Sequence, residues 1–340
     1  TRRRGALRPA APAAQTAPTA QPGPAGTAGG SGVAGLFADE RTEVVLRRLE
    51  LTVTRRLDGL LQGDYRGLVP GHGSELGETR AYRPGDDVRR IDWNVTARTV
   101  EPFVRESIAD RELETWALID LSPSLSFGTA SCEKRDLAIA ALAAVGFLTA
   151  RTGNRLGVVV ADGVTVRAHP AKAQRQHLLA VLQRLIESAR GGPTGGRTDL
   201  GAALAHLTAP SHRRGLAVVI SDFLAPEGWE RPLRVAAARH EALCVEVVDP
   251  RELELPNVGL LTLVDPETGR RREVQTANAK LRARYAEAAR AQRDKIAETI
   301  RVSGADHLVL RTDRDWLLDL VRFVVLRRER TQRLSRPNRL

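Results

Sequence analysis

Trp116-Ala117-Leu118-Ile119 runs directly into Asp120-Leu121-Ser122-Pro123-Ser124. An apolar run that ends in a carboxylate, two alternate hydroxyls and a proline reads as a buried strand whose following loop gathers oxygen atoms in one place. Such clusters suit hard divalent cations, because Mg²⁺ takes oxygen ligands in near-octahedral geometry and keeps several of its waters. Other readings compete. A phosphotransferase with an aspartate nucleophile commonly carries a second carboxylate two residues on, where this chain has Ser122. A serine-hydrolase elbow needs Gly-x-Ser-x-Gly, and neither Ser122 nor Ser124 has those flanks. An aspartate that only caps the next turn is the plainest alternative, and these residues alone leave it open.

Two downstream stretches bear on the choice. Arg197-Thr198-Asp199-Leu200 follows Gly191, Gly192, Gly195 and Gly196 and precedes an Ala-rich helical segment. Residues 216–220 read as a second buried strand, ending in Ser221-Asp222-Phe223. A loop threonine and a second strand-end carboxylate are what an oxygen-only shell still needs. Thr198 also reads as a helix N-cap, and the two roles do not exclude each other. In open α/β sheets ligands bind outside the carboxyl ends of the strands, at the topological switch point. Asp120 and Asp222 satisfy that rule.

The pattern around these loops alternates strand and helix. Strands are expected over residues 115–121, 156–161, 216–221, 242–248 and 307–310, and helices over 134–150, 175–188, 200–207 and 229–240. Near-continuous apolar strands imply a mostly parallel sheet covered on both faces, a doubly wound α/β fold. Residues 164–169 read as an antiparallel edge hairpin with the strand before them. Residues 258–264 and 271–275 read as an inserted hairpin within about 250–276, followed by helices over 278–302 and 315–328. The resulting division is a basic Ala/Pro/Gly-rich tail over 1–38, an accessory lobe over 39–113 that begins with an amphipathic helix at 42–61, the α/β domain over 114–328, and a basic tail over 329–340.

With these residues in view, the chain resembles the von Willebrand factor type A fold and its metal-ion-dependent adhesion site. That site combines Asp-x-Ser-x-Ser with a loop threonine and a later aspartate, matched here by Asp120, Ser122, Ser124, Thr198 and Asp222. The resemblance implies a bound divalent cation, Mg²⁺ first and Mn²⁺ or Ca²⁺ as alternatives. It also implies that the hydroxyls contact the metal while the aspartates act largely through water. One coordination position is then left for an acidic client or ligand group.

A longer set of strings resembles the bacterial domain-of-unknown-function 58 (DUF58) family. It comprises Gly71-His72-Gly73-Ser74, then Arg80-Ala81-Tyr82-Arg83-Pro84-Gly85-Asp86-Asp87-Val88-Arg89-Arg90-Ile91-Asp92-Trp93, and Ala97-Arg98. Asp249-Pro250-Arg251-Glu252, Leu255-Pro256 and Leu263-Val264-Asp265-Pro266-Glu267-Thr268-Gly269 continue it. This resemblance implies pairing with an AAA+ ATPase of the MoxR type in the assembly, maturation or remodelling of other proteins.

Composition narrows the classes. The net charge of +11 invites a nucleic-acid reading, but its distribution argues against one. Arg2, Arg3, Arg4 and Arg8 stand without an acid in residues 1–38, and six arginines face only Glu329 in residues 326–340. The chain between them holds +2 of the total. No stacking aromatics in series and no helix-turn-helix accompany it, so specific nucleic-acid recognition is not expected. Weak, salt-sensitive attachment of the tails to acidic surfaces is the better reading. Residues 1–36 hold too little apolar surface to offset the entropy of ordering and are expected to be disordered. No apolar run reaches membrane-spanning length, and two cysteines make no disulfide framework, so a cytoplasmic location is expected.

In the 39–113 lobe, Arg80, Tyr82, Asp86, Asp87, Arg89, Asp92, Trp93 and Arg98 form a dense set of mixed sign. They read either as an ion-pair network joining lobe to sheet, with Trp93 packed in the join, or as part of a partner-docking surface. His72 and Ser74 lie two residues apart in a Gly-rich loop with no oxyanion-hole motif beside them. A loop hydrogen bond or phosphate contact fits them better than nucleophilic catalysis. Two functions of different class remain. One is a metal-dependent protein-interaction module. The other is a metal-assisted hydrolase in which the same cation activates water, although the chain offers no further general base and no second-metal carboxylates. No Walker-type loop is present, so any ATP use belongs to a partner.

Overall fold

The computed structural model describes residues 41–61, 79–82, 91–99, 101–105, 114–192, 196–209 and 215–334, together with Phe37 and Val88. The expected tail over 1–36, and His72, Ser74, Asp86, Asp87 and Arg89, lie outside the described residues.

A six-stranded sheet organises the fold. Its strands are β3 (Glu114–Asp120), β4 (Arg155–Ala161), β5 (Val166–Lys172), β6 (Gly215–Ser221), β7 (Glu241–Val248) and β10 (Asp306–Arg311). They lie in the order β10-β7-β6-β3-β4-β5. Numbered by first appearance, that is the doubly wound order 3-2-1-4-5-6. All neighbours run parallel except β5, which returns antiparallel beside β4 as the edge hairpin. The direction of winding reverses between β3 and β6, so the crevice at their carboxyl ends is the switch point.

Alternation along each strand splits the core in two. Ala117, Ile119, Val218, Ile220, Val245 and Leu308 face a layer made by α1 (Thr42–Leu61), α3 (Lys134–Arg151), α4 (Arg175–Arg190) and α9 (Trp316–Leu334). Trp116, Leu118, Val219 and Cys244 face α5 (Leu200–Leu207), α6 (Glu230–Arg239) and α8 (Ala279–Val302). The helix α3 is apolar around its whole circumference, with Leu137 to Thr149 buried. Such a helix must be covered on every side. The cover comes from α1, whose Val45, Leu49, Val53 and Leu57, spaced one turn apart, are all fully buried in the same cluster.

Smaller pieces complete the chain. β1 (Thr79–Ala81) pairs with β2 (Phe103–Arg105) around α2 (Trp93–Thr99). The expected insertion is present as α7 (Pro250–Leu253) followed by the hairpin β8 (Leu260–Val264) and β9 (Arg271–Gln275). Leu255, Leu261 and Leu263 give that hairpin a small core of its own, with Leu281 and Tyr285 of α8. At the other end α9 runs to Leu334, beyond the expected boundary at 328. Its Arg327 pairs at 2.8 Å with both Asp306 and Glu241, and Arg330 also pairs with Asp306. Part of the basic C-terminal stretch is therefore engaged inside the fold rather than offered to acidic surfaces.

Candidate metal centre

Register places Glu114 to Ile119 of β3 beside Gly215 to Ile220 of β6. Asp120 and Ser221 thus end neighbouring strands. The Ser221 hydroxyl donates to Oδ2 of Asp120 at 2.8 Å and accepts the Phe223 N–H at 3.0 Å. On the other carboxylate oxygen, Oδ1 of Asp120 accepts the Ser122 N–H at 2.9 Å and the Thr198 hydroxyl at 3.2 Å. The hydroxyls of Ser122 and Ser124 stand 3.0 Å apart on a 3₁₀ turn at Pro123–Leu125. Asp120, Ser122, Ser124, Thr198 and Asp222 are all buried. Their hydrogen bonds join Asp120 to Thr198 and Ser122 to Ser124, and Asp222 lies close enough for its charge to act on Asp120.

Local chemistry explains the convergence. Helix α5 is capped not by Thr198 but by Asp199, whose carboxylate accepts the Ala202 N–H at 2.8 Å. The cap role weighed for Thr198 falls to its neighbour, and the Thr198 hydroxyl turns to Asp120 instead. Gly196 makes this loop fit: its φ is +92°, and a Cβ there would lie 2.5 Å from the Gly163 carbonyl oxygen. Beyond Asp222, Phe223 takes a φ of 55°, an uncommon conformation for an aromatic residue. Its buried ring packs on Trp229 with centroids 5.3 Å apart.

The electrostatics of the two carboxylates differ. Burial and the facing charge of Asp222 push Asp120 up to about 6. Asp120 forms no ion pair with any cation among the described residues; its partners are hydroxyls and an amide. Asp222 is buried as deeply, yet it is held below the usual carboxylate range because the Lys134 ammonium sits 2.7 Å from its Oδ2. The Leu224 N–H occupies its Oδ1 at 3.0 Å. Lys134, the first residue of α3, is fully buried and also contacts Glu252 of α7. Burial pulls its ammonium down, but the two carboxylates outweigh this and hold it above its usual range. Arg293 of α8 extends the cluster to Glu246 at 2.7 Å, Glu252 at 2.9 Å and the Asp222 carbonyl at 3.0 Å. His307 meets Glu246 at 2.7 Å.

The sequence reading placed Asp222 in the site and quoted Glu252 within the family string, but gave Lys134 no role. One signal was available: Lys134 is one of four lysines in the chain and stands three residues before a long apolar helical run. The inserted hairpin also borders this region. Glu267, at its tip, pairs at 2.7 Å with Arg197, the residue before Thr198, and feels the charge of Asp222.

Asp92 is buried, and its carboxylate accepts the Asn94 and Val95 N–H groups at the start of α2. Trp93 was expected to pack in the join between lobe and sheet. Instead it is 70% exposed, because it opens α2, a helix with no buried residue. Arg98 is exposed, the Tyr82 N–H bonds the Pro102 carbonyl at 2.8 Å, and Arg80 pairs through its backbone with Val104.

Among the described residues no three His, Cys, Asp or Glu side chains are grouped to hold a metal. The candidate ring is of another kind, three hydroxyls with two carboxylates. That oxygen-only set fits a hard cation, and the buried Asp120 carboxylate, without an ion pair among the described residues, is the feature such an ion would compensate. No helix among the described residues is long and apolar enough to cross a membrane.

A family model described as "Protein of unknown function DUF58" matches residues 78–295. An uncharacterized protein of Mycobacterium tuberculosis, Rv1480, is 56% identical over 290 residues, covering 85% of this chain and 91% of the relative. A shorter uncharacterized protein of Mycobacterium avium, MAV169, is 52% identical over 159 residues, which is 47% of this chain and 93% of the relative. Among solved structures, the conserved hypothetical protein BatB from Bacteroides thetaiotaomicron aligns with a TM-score of 0.40 and 14% identity, over 64% of this chain and 99% of that one. The SpRpn10 VWA domain aligns with a TM-score of 0.33 and 12% identity, over 62% and 93%. At these scores the fold assignment rests on the chain's own strand order.

Proposed function

The chain belongs to the DUF58 family, and from that premise we propose that it is a metal-dependent protein-interaction module of the adhesion-site type. On this reading Ser122, Ser124 and Thr198 hold a divalent cation, Mg²⁺ in the first instance, with Asp120 and Asp222 behind them. The cation would offer a coordination position to an acidic group on a partner protein. The observation that carries the reading is Asp120: a buried carboxylate at the switch point, facing a second carboxylate, with hydroxyls from separate stretches of the chain around it and no ion-pair partner among the described residues.

Counting charge supports the same view. Asp222, Glu246 and Glu252 face Lys134 and Arg293 in one connected cluster, and Asp120 lies within charge range of Asp222. Among these groups the carboxylates outnumber the cations by two, and a divalent ion would offset that excess. The chain's own residues then have distinct tasks. Ser221 orients the Asp120 carboxylate, Asp199 frees Thr198 by capping α5, and the Phe223 turn fixes where Asp222 leaves the strand. The partner proposed is an AAA+ ATPase of the MoxR type, in protein assembly, maturation or remodelling.

Calorimetric titration with Mg²⁺ and Mn²⁺ tests the first half. Wild type should bind one ion and Asp120→Ala none, while the variant keeps its cooperative unfolding. Equal affinity in the two proteins overturns the metal assignment. Capture of a purified MoxR-type ATPase in Mg²⁺ but not in EDTA tests the second half, and capture that ignores both EDTA and Asp120→Ala places the partner elsewhere.

A further inference from the structure

Lys134 has no role in the reading above, although it is fully buried and touches one of the proposed metal-site residues. A buried ammonium is costly unless carboxylates match it, and Lys134 is matched by two that belong to different elements. Asp222 lies at the end of β6 and Glu252 in α7. The helix that carries Lys134 is enclosed on all sides, with every residue from Leu137 to Thr149 buried. Its first residue therefore presents a fixed charge, one that cannot swing to solvent when another cation arrives.

The consequence is an asymmetry between the two aspartates. Both Asp222 oxygens already have donors, the Lys134 ammonium on one and the Leu224 N–H on the other. Its negative charge is matched within the fold. Asp120 has hydrogen bonds but no ion pair among the described residues. Resting on the metal reading, we propose that Lys134 sets the cation affinity of the site: it neutralises Asp222, keeps that carboxylate turned toward α3, and leaves Asp120 as the site carboxylate without an ion-pair partner among the described residues, the one a divalent ion can gain. The metal-free protein is thereby stable without the ion, and the ion is bound weakly enough to exchange.

Lys134→Met removes the built-in cation and leaves Asp222 available to the ion. Because the single variant strands two carboxylates, Lys134→Met with Glu252→Gln keeps the net charge and guards against misfolding. Lys134→Arg retains the positive charge as a control. In calorimetric titrations of the full chain with Mg²⁺ and Mn²⁺, the methionine variants should bind at least tenfold tighter than wild type. Lys134→Arg should stay within about threefold. At one fixed concentration, Mg²⁺ should also raise Tm more in the methionine variants than in wild type, since a ligand bound by the native state alone stabilises it by RT ln(1 + c/Kd), where c is the free ligand concentration. Unchanged or weaker binding in a folded methionine variant overturns the proposal, as does equal tightening in Lys134→Arg. Failure of the metal reading itself shows separately, as equal titrations of wild type and Asp120→Ala.

Discussion

Ser221 donates its hydroxyl to Asp120 across the boundary between β6 and β3, at 2.8 Å and out of contact with solvent. The bond joins residues 101 positions apart and is a direct side-chain link between the two halves of the doubly wound sheet at its switch point. It also lowers the proton affinity of Asp120, against burial and Asp222, which raise it. Ser221→Ala should push the Asp120 carboxyl above its present value of about 6. It should cost roughly 1–2 kcal/mol, as expected for a buried acceptor left short of a donor. Carboxyl-carbon NMR titration and urea unfolding read the two effects.

The contribution of Asp120 to the pH dependence of the metal-free protein has a definite sign. The Asp120 carboxyl is held near 6 in the fold against 3.8 in the unfolded chain, so folding takes up a proton between those values. Stability from this group is fully present below about pH 4 and is lost as the pH rises through 6. Asp120→Asn is expected to remove that slope. At pH 7 the variant should exceed wild type in stability by up to about 3 kcal/mol, and the gap should close toward pH 4. Thermal unfolding in EDTA across this range checks it; a gap independent of pH would exclude a strained carboxylate.

Asp249 is a second buried carboxylate with the opposite character. Its oxygens accept the Thr129 N–H at 2.9 Å, the Thr129 hydroxyl at 2.6 Å, the Arg251 N–H at 2.9 Å and the Thr312 hydroxyl at 2.8 Å. It clasps the loop after β3 to the ends of β7 and β10. Asp249→Ala would strand the buried Thr312 hydroxyl and break the part-buried bonds to Thr129 and Arg251, at a cost of roughly 2–3 kcal/mol. Urea denaturation should register a large fall in the unfolding midpoint.

Gly157 has to be glycine for a packing reason. A Cβ there would come within 2.6 Å of the Trp116 ring on the adjacent strand. Gly157→Ala should destabilise by about 1–3 kcal/mol, the usual range for overpacking. Adding Trp116→Phe should restore part of the loss, and a double-mutant cycle by chemical denaturation measures the coupling.

The sheet was legible because its strands carry their own signal. Apolar runs such as Leu216 to Ile220 are long enough, and sharply enough bounded by Gly215 and Asp222, to be read without neighbours. The five oxygen-bearing residues were legible through order and spacing, because strand ends and loops mark their positions. The cations around them were not. Lys134, Arg293, Glu246 and Glu252 meet only after the chain has crossed from β3 to α8, and pairing over such separations leaves no local periodicity. Trp93 misled for a related reason: a tryptophan among charges reads as a buried anchor, whereas its position at the start of a short surface helix leaves it in solvent.

The ion pair between Arg197 and Glu267 gives the inserted hairpin mechanical purchase on the oxygen ring. Arg197 and Thr198 share a peptide bond, so a force applied to the hairpin tip is felt one residue away by the hydroxyl that reaches Asp120. The hairpin shares its small core with Leu281 and Tyr285 of α8, so the helix that carries Arg293 feels the same force.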